Sequence, residues 1–251
     1  EPGRTGARHG NLGGMTDPRH RLLLVSSSTI HGHGYLDHVA DALAAFLSPV
    51  KTVTFVPYAL ADRDGYAAKV RERFALLGKE VLSVHQAPDP RAAVRGAEAV
   101  FVGGGNTFRL LKWLQDEGLL GPIRDRAAEG MPYVGSSAGT NVAAPSIRTT
   151  NDMPIVPTAN FLALGLVPYQ INPHYLDPDP ASTHKGETRE ERLLQYLEES
   201  PVPVVGIRES AWIRVADGVS RLEGERGARV FKRGSAPFEI AAGAELETIL
   251  R

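Results

Sequence analysis

Residues 99–115 read AVFVGGGNTFRLLKWLQ and combine the three patterns of one strand-to-helix unit. The apolar run Ala99–Val102 predicts a buried strand, and Gly103–Gly105 predicts a tight loop after it. The segment Thr107–Gln115 has apolar residues at helical spacing. A near-continuous apolar strand followed by a helix is typical of a parallel sheet that is covered on both faces.

The same alternation of strand and helix extends from Arg21 to about Asn141. The other strand-like runs are Leu22–Ser26 (LLLVS), Val53–Pro57 (VTFVP), Val81–His85 (VLSVH) and Tyr133–Gly135 (YVG). The other helical patterns are Tyr35–Leu47 and Tyr66–Leu77. Five strand-to-helix steps in about 120 residues predict an α/β fold, with a three-layer, doubly wound, mostly parallel sheet and right-handed crossovers.

The pattern changes after Pro145, where a long connection, Ser146–Val167, leads to a strand-like Tyr169–Ile171. A helix is predicted over Glu187–Leu197 and another buried strand over Val202–Ile207. Four short alternating segments follow, separated by turns that contain glycine. We expect them to be antiparallel strands that extend the edge of the sheet: Trp212–Val215, Val219–Leu222, Arg229–Lys232 and Phe238–Ala241.

The composition excludes several classes of protein. The chain has 251 residues, a formal net charge of −1 and no cysteine. This charge balance argues against binding to nucleic acid or to an anionic membrane. Without cysteine there is no disulfide, thiolate zinc site, iron–sulfur cluster or cysteine nucleophile. With neither a membrane-spanning apolar run nor a secretory signal, we expect a soluble protein of the cytoplasm.

We expect one part of the chain to be disordered and the rest to fold. Residues 1–16 (EPGRTGARHGNLGGMT) are almost without apolar side chains, so we expect a disordered leader or a cloning remnant, with Met15 as the functional start. Residues 17–251 show no repeat, low-complexity tract or clear linker. They therefore predict a single α/β domain.

The segment Gly135–Gly139 (GSSAG) lies directly after a predicted strand and opens a helix. A G-x-S-x-G at such a junction is typical of a nucleophile elbow, in which a tight turn holds the serine hydroxyl out at the carboxyl end of the sheet. We therefore predict that Ser137 is a nucleophile and that the Ala138 N–H binds a developing oxyanion.

The loop Gly103–Thr107 (GGGNT) lies at the corresponding end of its own strand. Because ligands of open α/β sheets bind at the carboxyl ends of the strands, Gly104 or Gly105 is expected to supply a second oxyanion donor. Asn106 or Thr107 also fits the N-cap of the following helix. A phosphate-binding function is poorly supported, because neither complete phosphate-loop motif is present.

A serine nucleophile needs a base and a carboxylate that orients it. Of eight histidines, His174 is favoured because it follows the short apolar strand at Tyr169–Ile171. Asp152 and Glu209 are both candidates for the carboxylate, and the residues alone do not choose between them. The pair His31 and His33 has no obvious third ligand, so we expect no metal site.

Together these segments resemble the peptidase E (aspartyl dipeptidase) family of serine peptidases, over nearly the whole chain from Arg21 to about Lys232. The matching blocks are Val102–Phe108 (VGGGNTF), Gly135–Asn141 (GSSAGTN), Ile147–Val156 (IRTTNDMPIV), Gln170–His174 (QINPH) and His184–Glu190 (HKGETRE). Five blocks in the same order are far more specific than one G-x-S-x-G.

The resemblance implies a flavodoxin-like fold related to class I glutamine amidotransferases and activity on dipeptides with an N-terminal aspartate, without a cofactor. It implies that Ser137 is the nucleophile and His174 the base, with Asp152 or Glu209 as the acidic partner. The related amidotransferases have cysteine at this elbow, where this chain has serine. Ser136 stands where a bulkier residue, often Trp, is expected before the nucleophile.

The expected substrate is a small peptide of the form Asp-Xaa, cleaved by acyl transfer to Ser137. Selectivity for aspartate requires a cation near the substrate carboxylate. Arg148 and Arg189 lie inside matching blocks and are the candidates, with help from Asn106 and Thr107. The sequence does not distinguish a monomer from a homodimer.

Three other functions are compatible with parts of the sequence. An α/β-hydrolase esterase shares the elbow but has further strands between its nucleophile and its histidine. A cyanophycinase-like or β-aspartyl peptide hydrolase shares the related fold and the serine chemistry. A flavodoxin-like protein that binds a small ligand through Gly103–Thr107 requires no catalysis.

Overall fold

The structure is a computed structural model that describes residues 16–178, 181, 183 and 186–250. The expected leader lies outside the described residues except for Thr16. That residue is buried, and its hydroxyl donates a hydrogen bond of 3.0 Å to Glu247. The packed part of the chain therefore includes Thr16.

The described residues form eleven β-strands and eight α-helices. The strands are β1 (Leu22–Val25), β2 (Thr52–Val56), β3 (Glu80–Ser83), β4 (Ala99–Val102), β5 (Tyr133–Ser136), β6 (Gln170–Asn172), β7 (Val204–Ile207), β8 (Ala211–Ala216), β9 (Val219–Gly224), β10 (Ala228–Phe231) and β11 (Phe238–Ile240). The helices are α1 (Ala40–Phe46), α2 (Arg63–Ala75), α3 (Pro90–Arg95), α4 (Thr107–Asp116), α5 (Leu120–Ala128), α6 (Ala138–Asn141), α7 (Arg189–Glu199) and α8 (Leu246–Leu250).

The predicted parallel sheet is present, and the α/β fold class is confirmed. Its seven described strands have the order β3-β2-β4-β5-β1-β8-β9. The first five of these pair in parallel, and β8 and β9 continue the sheet in antiparallel pairing. Because β1, β4 and β5 are neighbours, the loops after them meet at one edge of the sheet.

The last strands differ from the expectation that all of them extend the main sheet. Strands β10 and β11 instead join β6 and β7 in a second sheet of the described residues, in the order β11-β10-β7-β6. The pairing of β6 with β7 is parallel, and β7 and β10 are antiparallel. Short alternating segments indicate one covered face but do not specify the partner strand, so the sequence pattern could not separate the two sheets.

Apolar side chains cover both faces of the main sheet. On one face Phe101 stacks between Phe55 and Phe74, with ring centroids 5.3 and 5.2 Å apart. On the other face lie Leu110 and Leu114 of α4, which are fully buried. Burial of each such side chain contributes about 1.5–3 kcal/mol. This two-sided core fixes the strands whose carboxyl ends carry the candidate site.

The connection from 142 to 169 is held by backbone hydrogen bonds rather than by a helix or a long strand. Leu164 N donates to Val142 O at 2.9 Å, and Ile147 N donates to Phe161 O at 3.0 Å. An isolated bridge also joins Ser146 and Leu162. The segment therefore has a fixed path beside the end of the sheet, and it carries Asp152.

Within the described part of the chain, no helix combines the length and the apolar character needed to cross a bilayer.

Candidate active site

Ser137 lies on a sharp turn between β5 and α6. Its φ of 53° and ψ of −107° fall in a region that L-residues rarely adopt. The backbone is held by a 3.0 Å hydrogen bond from Ser137 N to Val25 O. Glycines are needed on both sides: a Cβ on Gly135 would lie 2.6 Å from Gly139 O, and one on Gly139 would lie 2.0 Å from Val102 O. The close approach of these backbones is the physical reason for the G-x-S-x-G spacing.

His174 lies just beyond the end of β6, two residues after Asn172. Its Nε2 is 2.8 Å from Ser137 Oγ. Its φ of 52° is also positive, and its backbone N–H donates to Ser26 Oγ at 2.9 Å. The imidazole is partly exposed, with 33% of its side-chain surface accessible. The base predicted from sequence is therefore within hydrogen-bond reach of the predicted nucleophile.

Glu209 lies two residues after β7, and its Oε1 is 3.0 Å from His174 Nδ1. A carboxylate only accepts hydrogen bonds, so this contact assigns the proton of the neutral imidazole to Nδ1 and leaves Nε2 free to accept the Ser137 hydroxyl. The serine, the imidazole and the carboxylate thus form one continuous hydrogen-bonded chain.

Asp152, the other candidate carboxylate, bonds to a different part of the site. Its Oδ2 accepts hydrogen bonds from Thr107 N at 2.7 Å and from Thr107 Oγ1 at 2.6 Å. The Thr150 hydroxyl in turn donates to Thr107 Oγ1 at 3.0 Å. Asp152 therefore ties the long connection to the first residue of α4, while Glu209 is the carboxylate beside His174.

The candidate oxyanion donors lie on two loops around Ser137. Ala138 is the first residue of α6, directly after the serine. Gly104 packs against the nucleophile: a Cβ placed on it would be 3.0 Å from Ser137 Cβ and 3.6 Å from Ser137 Oγ. Gly105 has a φ of 135° and lies tightly against Ala59 O. Gly104 therefore places the loop after β4 directly against the nucleophile. That Gly104 or Gly105 donates to an oxyanion stays a prediction.

A pocket of about 260 Å³ opens beside Ser137 and His174. Its lining residues are Thr107, Ser137, Ala138, Thr150, Asn151, Asp152, Pro173, His174 and Arg189. A larger groove of about 550 Å³, between β3 and α3, contains none of them. The pocket size suits a small substrate rather than a folded protein.

The two candidate arginines occupy different surroundings. Arg189 lines the pocket, and its buried Nη1 makes no hydrogen bond to the described part of the chain. Burial lowers the pKa of Arg189, and the nearby Glu209 carboxylate opposes that shift. Arg148 is exposed and stacks over the Tyr196 ring, 5.2 Å from its centroid. Of these two candidates, Arg189 lines the pocket and Arg148 does not.

Asn106 and Thr107, the two residues predicted to assist the arginine, also differ in position. Thr107 lines the pocket, but Asn106 does not. Asn106 Oδ1 caps α4 by accepting from Arg109 N at 3.0 Å, and its Nδ2 donates to Met153 O at 2.9 Å. Both ends of this amide are therefore already bonded within the chain.

His31 and His33 are exposed, and the described residues contain no group of three His, Asp or Glu side chains that could hold a metal ion. Of the matching block His184–Glu190, residues 186–190 are described, while His184 and Lys185 lie outside the described residues.

Residues that the sequence reasoning missed are Asn151 and Ser26. Asn151 lines the pocket, and its Nδ2 donates to Pro173 O at 2.7 Å, next to His174. Ser26 accepts the His174 N–H. Both follow a recognisable signal, since Ser26 ends the predicted strand Leu22–Ser26 and Asn151 neighbours Asp152.

A serine on an elbow, a histidine at 2.8 Å and a carboxylate behind it are the arrangement typical of serine hydrolases. The family model described as "Peptidase family S51" matches residues 22–222. The chain belongs to peptidase family S51.

Individual relatives cover most of the chain. It is 57% identical over 229 residues to "Peptidase E" of Streptomyces coelicolor, covering 91% of this chain and 94% of the relative. It is 51% identical over 233 residues to a Drosophila melanogaster protein named "Probable alpha-aspartyl dipeptidase", covering 92% and 97%. The crystal structure of a peptidase from an acI-B1 actinobacterium has a TM-score of 0.67 at 18% identity, over 93% of this chain and 97% of that one, and shows a likeness of fold alone.

Proposed function

We propose that this protein is a serine-type aspartyl dipeptidase that hydrolyses dipeptides with an N-terminal aspartate. The observation that carries the proposal is the chain of hydrogen bonds from Ser137 Oγ through His174 to Glu209, at 2.8 and 3.0 Å. Its membership of family S51 and the names of its relatives support the same activity.

In the first half of the reaction, Ser137 Oγ attacks the carbonyl carbon of the N-terminal aspartyl residue. His174 Nε2 takes the hydroxyl proton as the Oγ–C bond forms, and Glu209 stabilises the resulting imidazolium. The N–H of Ala138, with that of Gly104 or Gly105, holds the oxyanion, and each such donor is typically worth about 3 kcal/mol. His174 then gives its proton to the departing nitrogen as the C–N bond breaks.

The second half releases the aspartyl group from the serine. Water attacks the ester carbonyl and gives a proton to His174 Nε2. The tetrahedral intermediate collapses, the C–Oγ bond breaks, and His174 returns the proton to Ser137. Aspartate leaves, and the hydrogen-bonded chain is restored.

Selectivity for an N-terminal aspartate follows from two opposite charges in the pocket. Arg189 Nη1, which has no hydrogen-bond partner among the described residues, is suited to the substrate's side-chain carboxylate. Asp152 uses Oδ2 for both hydrogen bonds from Thr107, so Oδ1 is available for the substrate's α-ammonium group. A free N-terminal aspartate carries both charges that this pocket complements.

The test is a hydrolysis panel of Asp-Leu, Asn-Leu, Leu-Asp, β-Asp-Leu and N-acetyl-Asp-Leu with the wild-type protein. We expect the highest kcat/KM for Asp-Leu, a large loss for Asn-Leu because Arg189 has no carboxylate to bind, and a comparable loss for the acetylated peptide because it has no ammonium group. Equal rates for Asp-Leu and Leu-Asp would contradict the proposal. Faster cleavage of β-Asp-Leu would favour a β-aspartyl peptide hydrolase instead.

A further inference from the structure

Ser26 is the first residue after β1, and none of its surface is accessible to solvent. Its hydroxyl makes two hydrogen bonds to the backbone. Oγ accepts the His174 N–H at 2.9 Å and donates to Ile207 O, also at 2.9 Å. A single buried hydroxyl therefore joins the loop after β6 to the end of β7, and so the main sheet to the second sheet.

These contacts place Ser26 between the segments that carry all three members of the hydrogen-bonded chain. The preceding residue, Val25, accepts the Ser137 N–H at 3.0 Å. His174 is bonded to Ser26 directly, and Ile207 lies two residues before Glu209. The end of β1 thus contacts the nucleophile, the base and the segment that supplies the carboxylate.

The backbone of His174 needs such a restraint. Its φ of 52° lies in the left-handed region, which non-glycine residues rarely occupy unless the surrounding structure enforces it. The hydrogen bond to Ser26 Oγ ties the backbone of His174 to the end of β1 and therefore to the main sheet, which also carries Ser137. Loss of this bond would let the loop relax while the elbow stays in place.

We infer that Ser26 is a positioning residue that sets the distance between His174 Nε2 and Ser137 Oγ. The inference rests on the proposed function, because it concerns the same nucleophile and base. Ser26 does not line the pocket, so its effect is exerted through the backbone of His174 rather than by contact with the substrate.

The variants Ser26→Ala and Ser26→Cys separate this function from a general contribution to stability. Ser26→Ala removes both hydrogen bonds. Ser26→Cys keeps the shape but offers a longer, weaker donor and acceptor, so it serves where Ser26→Ala does not fold. Ser220→Ala is the matched control. Ser220 is also fully buried, and its replacement also removes a hydroxyl hydrogen bond, in this case to Thr16. It lies on the edge strand β9.

The measurements are kcat and KM for Asp-Leu, the melting temperature, and the rate at which diisopropyl fluorophosphate modifies Ser137. A shift of about 1 Å in the base costs up to about 10²-fold in rate. We expect Ser26→Ala to lower kcat and the modification rate together by about 10-fold or more with KM nearly unchanged, and Ser26→Cys to fall between it and wild type. Ser220→Ala is expected to lower the melting temperature while keeping kcat and the modification rate at wild-type values.

A wild-type modification rate in folded Ser26→Ala or Ser26→Cys overturns the inference, as does an equal loss of rate in Ser220→Ala. The fluorophosphate reaction does not depend on the peptide substrate. If the wild-type protein is modified at Ser137 but does not cleave Asp-Leu, the proposed function fails while the positioning by Ser26 is still tested.

Discussion

The backbones around Ser137 approach one another closely because the residues at the contacts are glycines, which have no Cβ. Gly139 lies against Val102 O, where a Cβ would be only 2.0 Å away. The atom that it would meet belongs to the backbone of the central strand β4, so it cannot rotate aside. The elbow therefore requires glycine at this position, as it does at Gly135.

Replacement of Gly139 is expected to destabilise the whole sheet. Gly139→Ala should lower the free energy of unfolding by about 3 kcal/mol or more, because overpacking against backbone has no inexpensive relaxation. The control is Gly121→Ala in helix α5, where a new Cβ meets nothing within 4 Å. That change should stabilise the helix by about 0.5–1 kcal/mol. Urea unfolding of both variants measures the difference, and equal midpoints would contradict the packing argument.

The two carboxylates make different contacts, so their removal should affect different kinetic constants. Glu209→Gln leaves His174 without a charge to stabilise its imidazolium, and we expect kcat to fall by about 10²-fold or more with little change in KM. Asp152→Asn should mainly raise KM for Asp-Leu, since that carboxylate is proposed to bind the ammonium group. Steady-state kinetics decide between them, and the reverse pattern would exchange the two assignments.

Arg189 and Arg148 form a matched pair for testing selectivity. Arg189→Gln removes the guanidinium that faces the pocket, and a charged hydrogen bond of about 1.5–3 kcal/mol corresponds to a loss of roughly 10- to 150-fold in kcat/KM for Asp-Leu. Cleavage of Asn-Leu should change little. Arg148→Gln, on the exposed face over Tyr196, should leave both rates near wild type. A larger effect at Arg148 would contradict the pocket assignment.

At the scale of elements, the loop after β6 and the end of β7 are joined by a cluster of charges. Arg208, the residue before Glu209, donates to both oxygens of Asp177, at 2.8 and 2.6 Å, and to both oxygens of Glu239, at 2.8 and 3.0 Å. Asp177 lies three residues after His174. The guanidinium therefore ties the segment of the base to the segment of the carboxylate.

This charge cluster predicts a dependence of stability on acid pH. Hydrogen bonds from Arg208 lower the pKa of both Asp177 and Glu239 below their ordinary values. Carboxyl groups with a lowered folded-state pKa stabilise the fold at pH values above their ordinary pKa, and this contribution is lost as the pH falls through the lowered folded values. The affected range is therefore below about pH 4. Because both carboxylates are about half exposed, solvent screening keeps the effect modest.

Arg208→Met should be less stable than wild type near neutral pH, and the difference between the two should shrink as the pH falls below about 4. Arg221→Met is the control, since Arg221 pairs with Glu245 in an ion pair that is exposed on both sides. Unfolding midpoints measured across this pH range provide the comparison. A constant difference between wild type and Arg208→Met would contradict the proposed linkage.

Some strands can be placed in their sheet from their own sequence, and others cannot. Strands β1, β2, β4 and β5 are recognisable because buried parallel strands are continuous apolar runs, whereas β3, at the edge of the sheet, is buried on one face only. Strands β10 and β11 are recognisable as strands, but the prediction that they extend the main sheet is wrong, because a short alternating segment indicates one covered face and does not specify its partner strand.

At the scale of the whole molecule, the topology brings together residues that are far apart in sequence. Ser137 and His174 were both predictable, since each follows a strand of the sequence pattern. The choice between Asp152 and Glu209 was not, because it depends on the parallel pairing of β6 with β7, which places Glu209 beside His174. The contribution of Ser26 depends equally on the contact between the two sheets.

The absence of cysteine restricts which side chain can act as the nucleophile. With no thiol anywhere in its 251 residues, the chain has to use another nucleophile at the elbow, and Ser137 lies there with His174 at 2.8 Å. We therefore expect this hydroxyl to carry out the hydrolysis of aspartyl dipeptides.

The turnover of Asp-Leu by Ser137→Ala tests whether Ser137 is the nucleophile. We expect kcat to fall by about 10³-fold or more, with a melting temperature close to that of wild type, because the alanine keeps the elbow but has no hydroxyl to attack the substrate. If folded Ser137→Ala cleaved Asp-Leu at the wild-type rate, Ser137 would not be the nucleophile.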